Sequence, residues 1–207
     1  WESNIPVMMA LLGVWNTNSL NINNHGIFTY NFRLRSLTKY ISQLSMESNG
    51  KSINFELKES HFLTSPLIWG GYGIESQHST FQWLMQGKTK TSCDFIGLNN
   101  GETETVDSYE MLLSQVLAMT QGKEDKENLF KSVKGNNPCS ILKIKSIDLR
   151  SLGFLIALYE HKVFIEASIL DIDPFDQWGV QLGKKLALEA KTNKKVLEDN
   201  FSSSLLL

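Results

Sequence analysis

Four short apolar runs set the frame: "GIFTY" (26–30), "PLIWGGYG" (66–73), "TSCDFIGL" (91–98) and "SILKIK" (140–145). Each is separated from the next by a stretch with helical spacing. Parallel neighbours need long crossovers, and those crossovers put helices over the sheet faces, so strands apolar on both sides suit a mainly parallel sheet. The expected fold class is therefore α/β, a three-layer α/β/α arrangement with a mainly parallel sheet, followed by C-terminal helices. In such folds ligands bind beyond the carboxyl ends of the strands, which is where the Gly70–Gly73 turn falls.

The connecting stretches read as follows. "SNIPVMMALLGVWNTN" (3–18) has Ser3 or Asn4 as cap and Pro6 in its first turn. Its apolar residues run nearly all round, which predicts a buried helix. "RLRSLTKYISQLSMES" (33–48) places Leu34, Leu37, Tyr40, Ile41 and Leu44 at helical spacing and stops at Asn49–Gly50. "SQHSTFQWLMQG" (76–87) and "VDSYEMLLSQVLAMTQGK" (106–123) are two further helices, and "KEDKENLFKSVKGNNP" (123–138) is a charged surface excursion. "SLGFLIALYEHKVFIEASIL" (151–170) is long enough to cross a bilayer. It carries Glu160, His161 and Lys162 at its middle, where charge is costly in lipid, and so reads as a buried core helix. "DPFDQWGVQLGKKLALEAKTN" (173–193) is a helix with an acidic start. The expected organisation is one domain over 1–170 and C-terminal helices over 171–207 packed on it.

Composition narrows the function. The net charge of −2 provides no broad basic field for nucleic acid or an anionic membrane. Three arginines, Arg33, Arg35 and Arg150, leave no multi-arginine phosphate clamp in this sequence. Cys93 and Cys139 belong to no CxxC pair or Cys/His cluster, which argues against structural zinc and a disulfide framework and for a reducing, cytoplasmic setting. Trp1 opens the sequence without a methionine and "FSSSLLL" closes it, the pattern expected of a piece of something longer.

Several residues form chemically suggestive patterns. Gln43 and Glu47 are four apart and share one helix face. Glu47 sits at the helix C-terminus, where unsatisfied carbonyls disfavour a carboxylate and strengthen it as a general base. A solvated surface Glu before a stop signal is the bland alternative. His78 falls in the first turn of a helix after "GGYGIESQ", where it is either a proton shuttle or a capping or hydrogen-bonded core residue. Gln177, Gln181 and Lys184 make one polar line flanked by Gly179 and Gly183. Two glycines cost about 1 kcal/mol each in a helix interior, so either a ligand or a neighbouring helix approaches closely there. His25, in an expected turn, and His61 and His161, without partners at ligand spacing, read as structural.

"NIPVMMALLGVW", "MESNGK", "QH" opening a helix, "CDFI", "GNNPCSIL", "LIALYEHKVF" and above all "FDQWGVQLGK" occur here in the order found in one family. Over nearly its whole length the sequence resembles the C-terminal half of the glucose-6-phosphate isomerases. The resemblance implies most of the second sugar-isomerase (SIS) domain, flavodoxin-like in architecture. It also implies aldose–ketose isomerisation of glucose 6-phosphate and fructose 6-phosphate through a cis-enediol, without cofactor or metal. Position by position, it makes Glu47 the base that moves the proton between carbons 2 and 1. His78 becomes the ring-opening histidine, which in the family reaches the partner subunit's site, and Lys184 the lysine at the ring oxygen. Gln43 and Gln177 become substrate contacts. A homodimer with shared active sites follows, with no nucleic-acid or membrane partner.

Three stretches depart from the family's pattern. "GExGTNxQHA" is "GGYGIESQHS" here, "LPYDQYL" is "FTYNFRL", and Gln181 stands where Glu is more frequent. The family's phosphate-binding loop and catalytic arginine belong to its N-terminal half, outside this sequence. Two other readings compete: a non-catalytic SIS-type sugar-phosphate-binding module, which needs no general base, and an interaction protein using a surface away from the cleft.

Overall fold

A computed structural model describes residues 3–98 and 103–192, with the backbone alone over 103–107. Trp1 and the "FSSSLLL" ending lie outside the described residues. The chain forms two compact units, Trp1–Pro174 and Phe175–Leu207. The first runs α1 (Ile5–Asn18), β1 (Asn24–Thr29), α2 (Leu37–Asn49), β2 (Leu67–Tyr72), α3 (Thr80–Gln86), β3 (Ser92–Leu98), α4 (Thr103–Gln121), β4 (Cys139–Ile144) and α5 (Leu149–Ile169). The second contains a 3-10 turn, Trp178–Val180, that leads into α6 (Gln181–Thr192).

The strands pair in the order β2-β1-β3-β4, and every pairing is parallel. Alternate residues of each strand serve opposite faces. Ile27, Ile68, Ile96 and Ile144 pack with Met9 of α1, Leu37 and Ile41 of α2, and Leu155 and Leu158 of α5. Phe28, Cys93 and Phe95 pack on the other face with Phe81 and Leu84 of α3 and with Leu112 and Met119 of α4. The Phe28 ring is the hub there, with centroids 5.0 Å from Phe81, 5.7 Å from Phe95 and 5.9 Å from Trp69. The three-layer parallel architecture is the one expected.

Its helices differ from expectation in detail. Asn4 is the cap of α1, its side chain accepting from Val7 N at 3.2 Å. That helix is not buried all round, because it lies on the outside of its layer: Trp15 is 57% exposed. Likewise α5 buries one stripe, Leu155, Leu158, Tyr159, Lys162, Val163, Glu166 and Ala167, and exposes Phe154 and Phe164. His25 is in β1 rather than in a turn, and the glycine pair Gly70–Gly71 lies inside β2 rather than after it.

Because α1, α2 and α5 run antiparallel to the strands, their C-terminal ends gather at the amino edge of the sheet. A buried polar cluster occupies that edge. His25 Nδ1 meets Ser92 Oγ at 2.8 Å, and its Nε2 lies 3.1 Å from Asp94 Oδ2, off the line of a good hydrogen bond. Tyr159 donates its hydroxyl to the same carboxylate at 3.0 Å. Burial pushes the Asp94 carboxyl up, but the His25 ring, Lys162 and the Tyr159 hydroxyl outweigh it and hold it below the usual value.

Two outcomes follow. A folded-state value below the unfolded one gives stability that is present above the ordinary carboxylate range and lost as pH falls through the folded value. Denaturant titrations at a pH series should show that acid loss, and Asp94→Asn should remove its Asp94 component while costing on the order of 3 kcal/mol near neutrality. Gly70 has φ +127°, and a Cβ there would strike the Ile27 carbonyl of β1. Gly70→Ala should therefore lower stability by roughly 3 kcal/mol in the same assay.

Candidate functional site

The "MESNGK" segment is held residue by residue. α2 stops at Asn49, as its sequence suggests, though not through a left-handed glycine: Gly50 has φ −72° and ψ 61°. Glycine is needed because a Cβ there would collide with the Met46 carbonyl, which instead accepts from Gly50 N at 3.0 Å. Asn49 is 1% exposed and donates to Val163 O of α5 at 3.2 Å. Lys51 reaches Asp173 O with its ammonium at 2.7 Å, and its carbonyl accepts from Thr64 Oγ1 at 2.6 Å. These ties surround an exposed pair: Gln43 Nε2 donates to Glu47 Oε2 at 3.2 Å. The amide thus holds one carboxylate oxygen of an otherwise exposed group.

His78 is placed elsewhere. It is exposed in the turns between β2 and α3, two residues before the helix begins at Thr80. The expected first-turn position is therefore corrected, and the helix-end argument for its proton chemistry goes with it. The cause is Ser76, which donates its hydroxyl to Tyr72 O at 2.9 Å while its carbonyl accepts from Thr80 N at 3.0 Å and Phe81 N at 3.2 Å. That local pattern holds residues 73–79 in turns. The loop follows the carboxyl end of β2, whereas Glu47 ends a helix that has returned to the amino edge. A helix of 13 residues spans roughly 20 Å. One copy of the chain thus presents Glu47 and His78 at opposite edges of its sheet. The carboxyl-edge rule pointed to the His78 loop and not to Glu47.

Gln177 and Lys184 belong to the second unit, and both are exposed. Gln177 has φ −146° and precedes the 3-10 turn, so it is outside α6. The polar line expected along one helix holds for Gln181 and Lys184, three apart on α6, and not for Gln177. Within the second unit, a Cβ on Gly179 or Gly183 would meet nothing within 4 Å.

The cluster of His25, Ser92 and Asp94 went unread in the sequence. With Cys93, Cys139 and Lys162 it lines a cavity of about 180 Å³ at the amino edge. Asp94 inside an otherwise apolar run was the available signal. Cys93 and Cys139 are register partners on β3 and β4. Burial, then the Cys139 neighbour, push the Cys93 thiol well up, and burial with Asp94 pushes Cys139 up to about 12. Among the described residues, no group of three or more His, Cys, Asp or Glu side chains is placed to hold a metal, and no helix is long and apolar enough to cross a membrane.

Known proteins match this arrangement. A glucose-6-phosphate isomerase of Acinetobacter baumannii is 41% identical over 210 residues, covering 90% of this chain and 38% of that protein. The Campylobacter jejuni subsp. doylei protein of the same name is 39% identical, covering 100% of this chain and 42% of its own length. The crystal structure of a glucose-6-phosphate isomerase from Chlamydia trachomatis superposes with a TM-score of 0.88 at 40% identity, over 93% of this chain and 39% of that one. A hypothetical protein from Thermus thermophilus, TT0462, shares the fold at a TM-score of 0.67 and 20% identity. The chain thus spans about two fifths of the length of the curated relatives it matches. The family model for phosphoglucose isomerase matches residues 1–205, and the chain belongs to that family.

Proposed function

We propose that the chain is the C-terminal part of an enzyme that interconverts glucose 6-phosphate and fructose 6-phosphate, an aldose–ketose isomerase of the cytoplasm and of glycolysis and gluconeogenesis. The observation that carries this reading is the exposed, amide-aimed Glu47 carboxylate at the end of an anchored helix. Glu47 takes the proton from carbon 2 of the opened sugar and returns it to carbon 1, so that the intermediate is a cis-enediol. No redox partner is needed, because hydrogen and electrons are only rearranged within the substrate. Gln43 steers the carboxylate and contacts the substrate with Gln177, and Lys184 supplies a cation at the ring oxygen. His78 assists ring opening in the site of the partner subunit. Its position at the far edge of the sheet from Glu47 favours that division of labour within a homodimer. The phosphate-binding loop and arginine come from the N-terminal part of the enzyme.

Three measurements test the reading. In the full-length protein, Glu47→Gln should lower kcat by several orders of magnitude while substrate still binds; undiminished turnover would remove Glu47 from the base role. Residues 1–207 alone should show no isomerase activity in a coupled assay. Mixed dimers of full-length Glu47→Gln and His78→Ala should regain about half the wild-type activity, since one of the two symmetric sites is then intact. Inactive mixed dimers would place both groups in one subunit's site.

A further inference from the structure

The last turn of α2 carries Glu47, and helix ends are the part of a helix most prone to fray. Here the turn is fastened to a buried charge pair. Lys162 Nζ and Glu166 Oε1, one turn apart on α5, lie 2.6 Å apart with side chains 8% and 11% exposed. The other Glu166 oxygen faces Asn49 Nδ2 at 3.5 Å, and the same amide nitrogen donates to Val163 O at 3.2 Å. Gly13 of α1 closes the far side: a Cβ there would overlap Glu166 Oε1 and stand 3.5 Å from Lys162 Nζ. Glycine at this point of an otherwise bulky helix is explained by the ion pair beneath it.

We propose that Asn49, held by Val163 O and by the Lys162–Glu166 pair under Gly13, is a positioning residue for Glu47. This rests on the reading of Glu47 as the base. Asn49 touches no substrate in this scheme; it acts by fixing the backbone two residues beyond the carboxylate. The chemistry gives such a latch leverage, because a displacement of about 1 Å at a reacting group costs on the order of 100-fold in rate. Asparagine suits the place. Its amide donates to two acceptors of α5 without adding charge, whereas an aspartate would set a second carboxylate against Glu166 and the Val163 carbonyl.

The test uses the full-length enzyme and separates positioning from folding. Asn49→Ala and Asn49→Asp should lower kcat by about 10- to 100-fold while KM stays within about 2-fold, because the phosphate and sugar contacts are untouched. Asn49→Asp with Glu166→Gln removes the like-charge contact and should recover most of the kcat lost by Asn49→Asp, measured against Glu166→Gln alone. Wild-type kcat in folded Asn49→Ala and Asn49→Asp, with only thermal stability lowered, would reduce Asn49 to a structural residue and overturn the proposal. So would a double variant no better than Asn49→Asp. Should Asn49→Asp fail to fold, Glu166→Asp, which draws the acceptor back by one methylene and keeps its charge, carries the same expectation for kcat and the same refutation. Glu47→Gln assayed alongside keeps the two ideas apart. If it is inactive and the Asn49 variants are normal, the latch fails and the base stands; if it is fully active, the base reading itself is lost.

Discussion

Lys162 and Glu166 are taken out of water together at the point where three helices converge on the amino edge of the sheet. Desolvating two charges is repaid only when their geometry and remaining hydrogen bonds are well satisfied. The pair therefore specifies its surroundings: α1 must present a glycine to it, α2 must end on a side chain that donates toward it, and α5 must run past both. With Asp94, Tyr159 and His25 continuing the polar cluster along β1 and β3, one end of the unit is built from directional contacts. The apolar layers on the two sheet faces would tolerate more slippage. The exposed carboxylate of Glu47 sits beside the directional end.

The parts of this arrangement that rest on local pattern were legible in the residues. Four apolar strands separated by helices led to a parallel sheet, and Asn49–Gly50 marked the end of α2. Other parts depend on contacts between distant segments. Ser76 holds seven residues in turns and delays α3, which helical spacing alone does not reveal. His25 lies next to Ser92 and Asp94 only once β1 and β3 are in register, their side chains sharing one face of the sheet. The apolar periphery of α1 and α5 gives no sign in sequence of which side the rest of the domain covers. Among the candidate site residues, the Gln43–Glu47 pair followed from helical spacing, whereas His78 at the other edge required the topology.

The stretches 28–34 and 70–79 meet each other in space. Gly73, from "GGYGIESQHS", lies so close over the Tyr30 ring that a Cβ would overlap it, and Tyr72 packs edge-on against Phe32 of "FTYNFRL" with centroids 5.9 Å apart. Burial, with a small addition from Cys93, pushes the Tyr30 hydroxyl far up, so it stays protonated beneath the loop. Gly73, Tyr30, Tyr72 and Phe32 thus form one aromatic contact at the carboxyl edge, under the segment leading to His78. Segments far apart in the sequence thus share one support in the fold, and the Arg35 guanidinium caps it, 4.0 Å over the Phe32 ring.

The paired thiols of β3 and β4 have a consequence of a different kind. Attack on a disulfide or an alkylating reagent requires the thiolate, and both Cys93 and Cys139 are held protonated by the burial that packs the sheet. Cys93 is buried within the sheet and reacts only when its surroundings open, whereas the partly buried Cys139 lines the amino-edge cavity. The rate at which a thiol reagent consumes Cys93 is then a clock for local opening around β3, so the chain carries, within its own sheet, a built-in reporter of local unfolding.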